Sequence, residues 1–282
     1  MTSPQTLMKA WNLHPKKQLG QNFLSDPNMA GVIVKKAGIT ADDVVLEIGA
    51  GLGSLTRPLA KKARKVIAVE KDHRLIGLLH TELTAAGLSN VSLMEQDILK
   101  LDIPSVAASE KCTLVVIGNV PYNISSQILV KILKARSCIK KTVLMFQKEL
   151  AQRITASPGS KSYGRLSAMV QYCAQVEILT EVKAGLFYPK PNIDSLVLGI
   201  HFNPGAEKLV RNETFLFDVI KAAFSKRRKT LRNALAGFIP GFDAKVAAKA
   251  LEETNIAPVR RAETLTVEEF MALSNHIYDV YQ

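Results

Sequence analysis

Val44-Val45-Leu46-Glu47-Ile48-Gly49-Ala50-Gly51-Leu52-Gly53 joins a β-rich apolar run to a glycine-rich turn, and Leu55, Leu59 and Ala63 follow at helical spacing. A strand that turns sharply into a helix is the opening unit of an open α/β sheet, where glycines let a ligand approach the main chain. The unit recurs downstream, with β-rich runs at 65–69, 91–94, 113–117 and 142–146, and helical spacing in Ile128, Ile132 and Leu133 after Ser125-Ser126. This alternation predicts a parallel α/β sheet. Runs 176–182 and 196–202 have no helix between them and predict an antiparallel hairpin at the sheet edge. The expected fold is therefore α/β and Rossmann-like, a mostly parallel sheet with an antiparallel edge hairpin, and not the all-parallel dinucleotide plan.

Asn203-Pro204-Gly205 breaks the pattern, and helices are predicted beyond it at 215–224, 227–236, 244–254 and 267–276. The expected division is a sheet domain over 1–205 and a small helical domain over 206–282. Thr266 with Glu269 reads as a capping box opening the last helix.

The 282 residues, 47% of them hydrophobic, suffice for one large core and a smaller one. No stretch approaches the ~18 apolar residues of a membrane span, and the N-terminus lacks the apolar core of a secretory signal. The expectation is a cytoplasmic monomer with no membrane partner. The first 25 residues hold no acid, as in an organelle leader, but they hold no Arg either. Cys112, Cys138 and Cys173 are too far apart for a metal knuckle, and the five histidines show no ligand spacing, so no metal is expected. The net charge is +12 and is concentrated: residues 221–261 carry ten basic and three acidic side chains. Such a surplus attracts polyanions, nucleic acid above membrane, or else serves as a solubilising surface.

The glycine turn spaces its residues as Gly-x-Gly-x-Gly, with Glu47 two positions before Gly49 and Ser54 where a dinucleotide fingerprint has its last glycine. That pattern suits S-adenosylmethionine better than NAD and makes Glu47, Gly49 and Gly51 candidates for the cofactor site. Glu70 ends the second run, where a carboxylate can accept both ribose hydroxyls. Asp97 follows the third, within reach of the cofactor's adenine amino group. Each acid alone is equally a solvated strand end; together, at the ends of successive strands, they outline a site.

Asn119-Val120-Pro121-Tyr122 ends the fourth run. An adenine amino nitrogen is a poor nucleophile because its lone pair is delocalised, so a catalyst must orient it and accept its hydrogens as it becomes tetrahedral. Asn119 can accept one N6 hydrogen through its side chain and Val120 the other through its carbonyl, with Pro121 stiffening the turn and Tyr122 stacking on the base. No strong base is needed, since the proton leaves after the nitrogen has become cationic. Phe187, in the proline-rich loop ending at Ser195, either faces Tyr122 across an extruded base or plugs the core.

These residues, together with Gly20-Gln21-Asn22-Phe23-Leu24 and Phe224-Ser225-Lys226-Arg227-Arg228-Lys229-Thr230-Leu231-Arg232-Asn233, give the chain a resemblance to ribosomal RNA adenine dimethyltransferases of the KsgA type. The resemblance covers nearly the whole chain and implies a class I S-adenosylmethionine-dependent methyltransferase domain over 1–205 and a helical RNA-binding domain over 206–282. It implies that S-adenosylmethionine is converted to S-adenosylhomocysteine while two adjacent adenosines, in the hairpin near the 3′ end of 16S rRNA, are each methylated twice on an assembling small subunit. It also implies that Gln21, Asn22 and Leu24 close over the methionine end of the cofactor, and that Asn119, which borders both sites, presents the target base together with Tyr122 and Phe187. The family usually has Leu where this chain has Val120. Relatives that dimethylate a large-subunit adenosine share the catalytic motifs. Lys226, Arg227, Arg228, Lys229 and Arg232 favour the small-subunit type, and Arg228 and Arg232, four apart on one helical face, are expected to clamp phosphates. An RNA-binding assembly factor without turnover is the non-enzymatic alternative.

Overall fold

The computed structural model describes residues 3–226 and 228–281. Seven strands form the main sheet: β1 (Val44–Ile48), β2 (Lys65–Glu70), β3 (Val91–Glu95), β4 (Leu114–Asn119), β5 (Ile139–Gln147), β6 (Ala174–Val182) and β7 (Ser195–Phe202). Their order is β3-β2-β1-β4-β5-β7-β6. The first five are mutually parallel, and β7 runs antiparallel to β5. The expected mixed sheet is present, and its seventh strand is inserted between β5 and β6.

β1, β2 and β4 are apolar on nearly every residue because they lie inside the sheet and helices cover both faces. Leu59, Leu79, Val45 and Val115, from helices and strands alike, are fully buried in one core, each side chain contributing roughly 1.5–3 kcal/mol by leaving water. Three of the helices that follow strands are opened by short acids: Asp26 accepts from the Met29 N–H at 2.8 Å, Asp72 from Arg74 N–H and Asp102 from Ser105 N–H. A two-residue ribbon pairs Phe23 with Tyr188 and Leu24 with Phe187, antiparallel.

The chain divides into two compact units. One comprises the chain to Ala151 with Val176–Phe202, and the other comprises Gln152–Gln175 with Asn203 onward. A single cut near residue 205 misses the first of those C-terminal pieces. The helix Arg165–Cys173 buries Ser167, Ala168 and Val170 and packs on helices Glu213–Ala223 and Val267–Tyr281, so its apolar face belongs with partners distant in sequence. In that unit Phe224 stands between Tyr163 and Phe270, with ring centroids 6.1 and 5.9 Å away. Thr266 and Glu269 form the expected reciprocal cap, Thr266 N–H to Glu269 at 2.8 Å and Glu269 N–H to Thr266 Oγ1 at 3.3 Å. Among the described residues, no helix is long and apolar enough to cross a membrane, and no group of three metal-ligating side chains occurs.

Candidate active site

The C-terminal ends of β1, β2 and β4 surround a cleft, the place where open α/β sheets bind ligands. Its floor is the turn after β1. Gly49 has φ +72°, and a Cβ there would stand 3.3 Å from the Asn119 carbonyl; Gly51 has φ +55°, and its Cβ would meet the Phe23 ring at 3.0 Å. Side chains would close the space that the two glycines leave for a ligand. The Val69 carbonyl accepts both the Gly49 and Ala50 N–H groups, at 2.9 and 3.1 Å, which ties the turn to β2.

Glu70 lies on the cleft wall and is 8% exposed. Burial pushes its carboxyl upward, opposed by three main-chain donors: Gly51 N–H to Oε2 at 2.9 Å, and Lys71 and Asp72 N–H to Oε1, both at 2.8 Å. These bonds aim the carboxylate, and Oε2, with one donor, keeps a lone pair for a ligand hydroxyl. Asp97 also lines the cleft. Lys71 Nζ, 2.8 Å from Oδ2, holds its pKa below the ordinary carboxylate range, and Leu99 N–H binds Oδ1 at 2.9 Å. Val69 and Ile98 supply apolar wall.

The segment before Leu24 forms the opposite wall, with Gln18, Gly20, Gln21 and Asn22 lining the cleft. Gln21 bridges the Lys16 N–H (2.6 Å) and Asp72 Oδ2 (3.0 Å). Asp72 is a hub that motif reading missed: it is 1% exposed and is ionised well below the usual range by Arg74 and Gln21. Its position two residues after Glu70 was the only sequence signal for it. Lys71, Gln96 and Asn123 also line the cleft without having been singled out, because their places depend on the sheet order.

Asn119, Val120, Pro121 and Tyr122 all border the cleft. The Asn119 amide nitrogen donates to the Asn22 carbonyl at 2.8 Å. This bond commits the nitrogen and leaves Oδ1, with no donor among the described residues, as an acceptor. Val120 is buried, and the turn closes through Ile124 N–H to the Pro121 carbonyl at 3.2 Å and Ser125 Oγ to the Tyr122 carbonyl at 3.0 Å. Tyr122 Oη lies 2.8 Å from Ser195 Oγ, and burial raises the phenol's pKa.

Three expected site residues lie elsewhere. Glu47 is fully buried and does not line the cleft, because strand alternation gives that place to Ile48 and turns Glu47 toward Thr56. Burial, with help from the charge on Glu70, pushes its carboxyl up to about 8, so it is protonated at neutral pH. Leu24 packs in the core, and its carbonyl accepts from Ser54 Oγ at 2.6 Å. Phe187 pairs with Leu24 in the ribbon and is 4% exposed within the same core. Of its two readings, the core one describes its position, since the ribbon turns the ring away from the cleft. In the C-terminal unit the helix expected over 227–236 spans only Leu231–Leu235. Lys226 and Lys229 lie in a turn before it, closed by Lys229 N–H to the Lys226 carbonyl at 2.9 Å. Arg228 therefore precedes the helix and does not share a helical face with Arg232, while Lys226, Arg228, Lys229 and Arg232 are all exposed. On a continuous helix Lys226 would face Lys229 and Arg228 would face Arg232, and like charges at that spacing oppose extending it through this stretch. Arg227 lies outside the described residues.

A sheet in this order, with a glycine turn after β1 and an acid at the end of β2, defines a class I methyltransferase. Two solved structures share the fold: a dimethyladenosine transferase from Plasmodium falciparum (TM-score 0.79, 28% identity, 91% of this chain and 98% of that one) and the 23S rRNA methyltransferase ErmE (TM-score 0.66, 24% identity, 91% and 99%). The chain belongs to the ribosomal RNA adenine dimethylase family, whose model matches residues 12–277. Among its relatives are the proteins named ribosomal RNA small subunit methyltransferase A of Desulforapulum autotrophicum, 53% identical over all of this chain and 98% of that protein, and of Bacillus mycoides, 42% identical over 92% and 90%.

Proposed function

We propose that this methyltransferase uses S-adenosylmethionine to dimethylate N6 of two adjacent adenosines in the 3′-terminal hairpin of 16S rRNA, on the assembling small subunit. The observation that carries the reading is the Asn119 amide, whose nitrogen is tied to Asn22 so that its oxygen is offered to the cleft. The relatives named small subunit methyltransferase A support the choice of small-subunit RNA.

The cleft suits this cofactor: the glycine floor leaves room against the main chain, and Glu70 offers an aimed acceptor for ribose hydroxyls. Asp97 would accept from the adenine amino group, with Val69 and Ile98 against the ring. When bound, the cofactor supplies an electrophilic methyl on a sulfonium. Asn119 Oδ1 and the Val120 carbonyl hold the two N6 hydrogens and keep the nitrogen lone pair directed at the methyl, while Tyr122 stacks on the base. The barrier falls through alignment and through acceptors set before the charge develops. No described side chain has to act as a strong base, because the N6 proton becomes acidic only once the nitrogen carries the methyl. Exposed Lys226, Arg228, Lys229 and Arg232 supply phosphate contacts, and Arg227 is assigned with them by sequence alone.

The test is to incubate undermethylated small subunits with the protein and S-adenosylmethionine and to analyse the rRNA nucleosides by mass spectrometry. N6,N6-dimethyladenosine at two neighbouring positions of 16S rRNA is expected. Methylation confined to 23S rRNA, or none, would overturn the reading.

A further inference from the structure

Tyr122 is half-buried, so its O–H needs a partner, which an aromatic acting through its face alone would not require. The partner is Ser195 Oγ at 2.8 Å, on a residue with no exposed surface. The scaffold fixes that hydroxyl closely. Ser195 opens β7 opposite Gln147, and its neighbour Asp194 is held by Lys148 N–H to its carbonyl at 2.9 Å and Ala184 N–H to Oδ1 at 2.8 Å. The main chain of Tyr122 is held independently by Ser125. The freedom left to the ring is rotation about its side-chain bonds, and the bond to Ser195 restrains the far end.

We infer that Ser195 is a positioning residue that fixes the tilt of the Tyr122 ring, and that this restraint matters more for the second methyl transfer onto an adenosine than for the first. The inference rests on the proposed dimethylation. In each transfer the N6 lone pair forms an N–C bond as the methyl's C–S bond breaks. Sulfur keeps that electron pair as a neutral thioether, and one N6 proton leaves to water. Before the first transfer two N6 hydrogens can meet Asn119 and Val120; before the second only one remains. Half of the hydrogen-bonded orientation is then gone, and the stacked ring has to supply what is missing.

The experiment follows monomethylated and dimethylated adenosine over time in small subunits treated with wild type, Ser195→Ala, Tyr122→Phe and the double variant. One hydrogen bond of this kind corresponds to a change of up to about tenfold in rate. Ser195→Ala should slow the second transfer by about that factor and the first by less, so that N6-monomethyladenosine accumulates. Tyr122→Phe should behave alike, and the double variant should be no worse than either, since both remove the same bond. An independent reading comes from 2-aminopurine at the target position with S-adenosylhomocysteine present: its fluorescence should rise in Ser195→Ala as stacking loosens. If Ser195→Ala lowers the melting temperature, Tyr122→Phe, which keeps the ring volume, decides. A wild type that dimethylates beside a Ser195→Ala and a Tyr122→Phe with unchanged product ratios would overturn the inference. A wild type that makes no methyladenosine would instead overturn the proposed function on which it rests.

Discussion

The cleft and the basic stretch from Lys226 to Arg232 are assigned the two halves of one activity, chemistry and RNA affinity, and they are built in opposite ways. In the cleft the polar groups are tied down: Glu70 takes three N–H groups, Gln21 spans two elements, and the Asn119 amide is anchored at one end. In the basic stretch Lys226, Arg228, Lys229 and Arg232 are exposed, and the helix meant to array them covers five residues. Alignment catalysis fails with small displacements, so its groups must be held by buried hydrogen bonds. Attraction to phosphate falls off slowly with distance and tolerates mobile side chains.

The contrast predicts graded effects on methylation. Asn119→Ala should reduce turnover most, by about 10²–10³-fold, as for removal of one preorganised polar group, while S-adenosylhomocysteine still binds in calorimetry. A variant that lost cofactor affinity yet kept its turnover would break the assignment. Glu70→Ala comes next. It strips the acceptor from three main-chain donors, at on the order of 1–3 kcal/mol for each group left buried and unpaired, so both the melting temperature and cofactor affinity should drop. An unchanged melting temperature would show that the bonds to Gly51, Lys71 and Asp72 do not hold the site.

Neutralising Arg228 and Arg232 together should act on RNA binding alone. Filter binding over a range of salt should show the slope of log affinity against log salt shallower by about two, roughly one for each phosphate that no longer meets a cation. An unchanged slope would remove these two from the RNA surface. Glu47→Gln should leave methylation near wild type and alter the pH dependence of stability. The Glu47 carboxyl has an ordinary value of 4.5, raised by burial to about 8 in the folded chain. The folded state therefore keeps a proton that the unfolded chain releases. This contribution is fully present below the unfolded value and is lost as pH rises through the window to about 8. Melting temperatures from pH 5 to 8 should fall more steeply for wild type than for Glu47→Gln; parallel curves would contradict a protonated Glu47.

Much of this was legible before the fold was known. β1 falls on the expected residues, and the Thr266–Glu269 cap forms as read, because both depend on near neighbours along the chain. Asn119, Tyr122, Glu70 and Asp97 reach one cleft because each stands at the end of a strand, and parallel strands align their ends. Glu47 and Phe187 were misplaced for a different reason. Which face a strand residue presents, and what a loop aromatic packs on, depend on neighbours from distant sequence. The helix at 227–236 was overextended because apolar spacing at Leu231 and Leu235 says nothing of the charge repulsion just before them.

The sequence by itself determined the strands, the glycine turn and the residue types able to present an adenine amine, since these follow from local spacing and from the chemistry of single side chains. Only the tertiary structure decided that Asn22 orients Asn119, that Asp72 holds Gln21, and that Ser195 meets Tyr122. Each of those bonds joins residues 51 or more positions apart. A hydrogen bond acts over about 3 Å, and the order in which the strands assemble selects which distant atoms come that close.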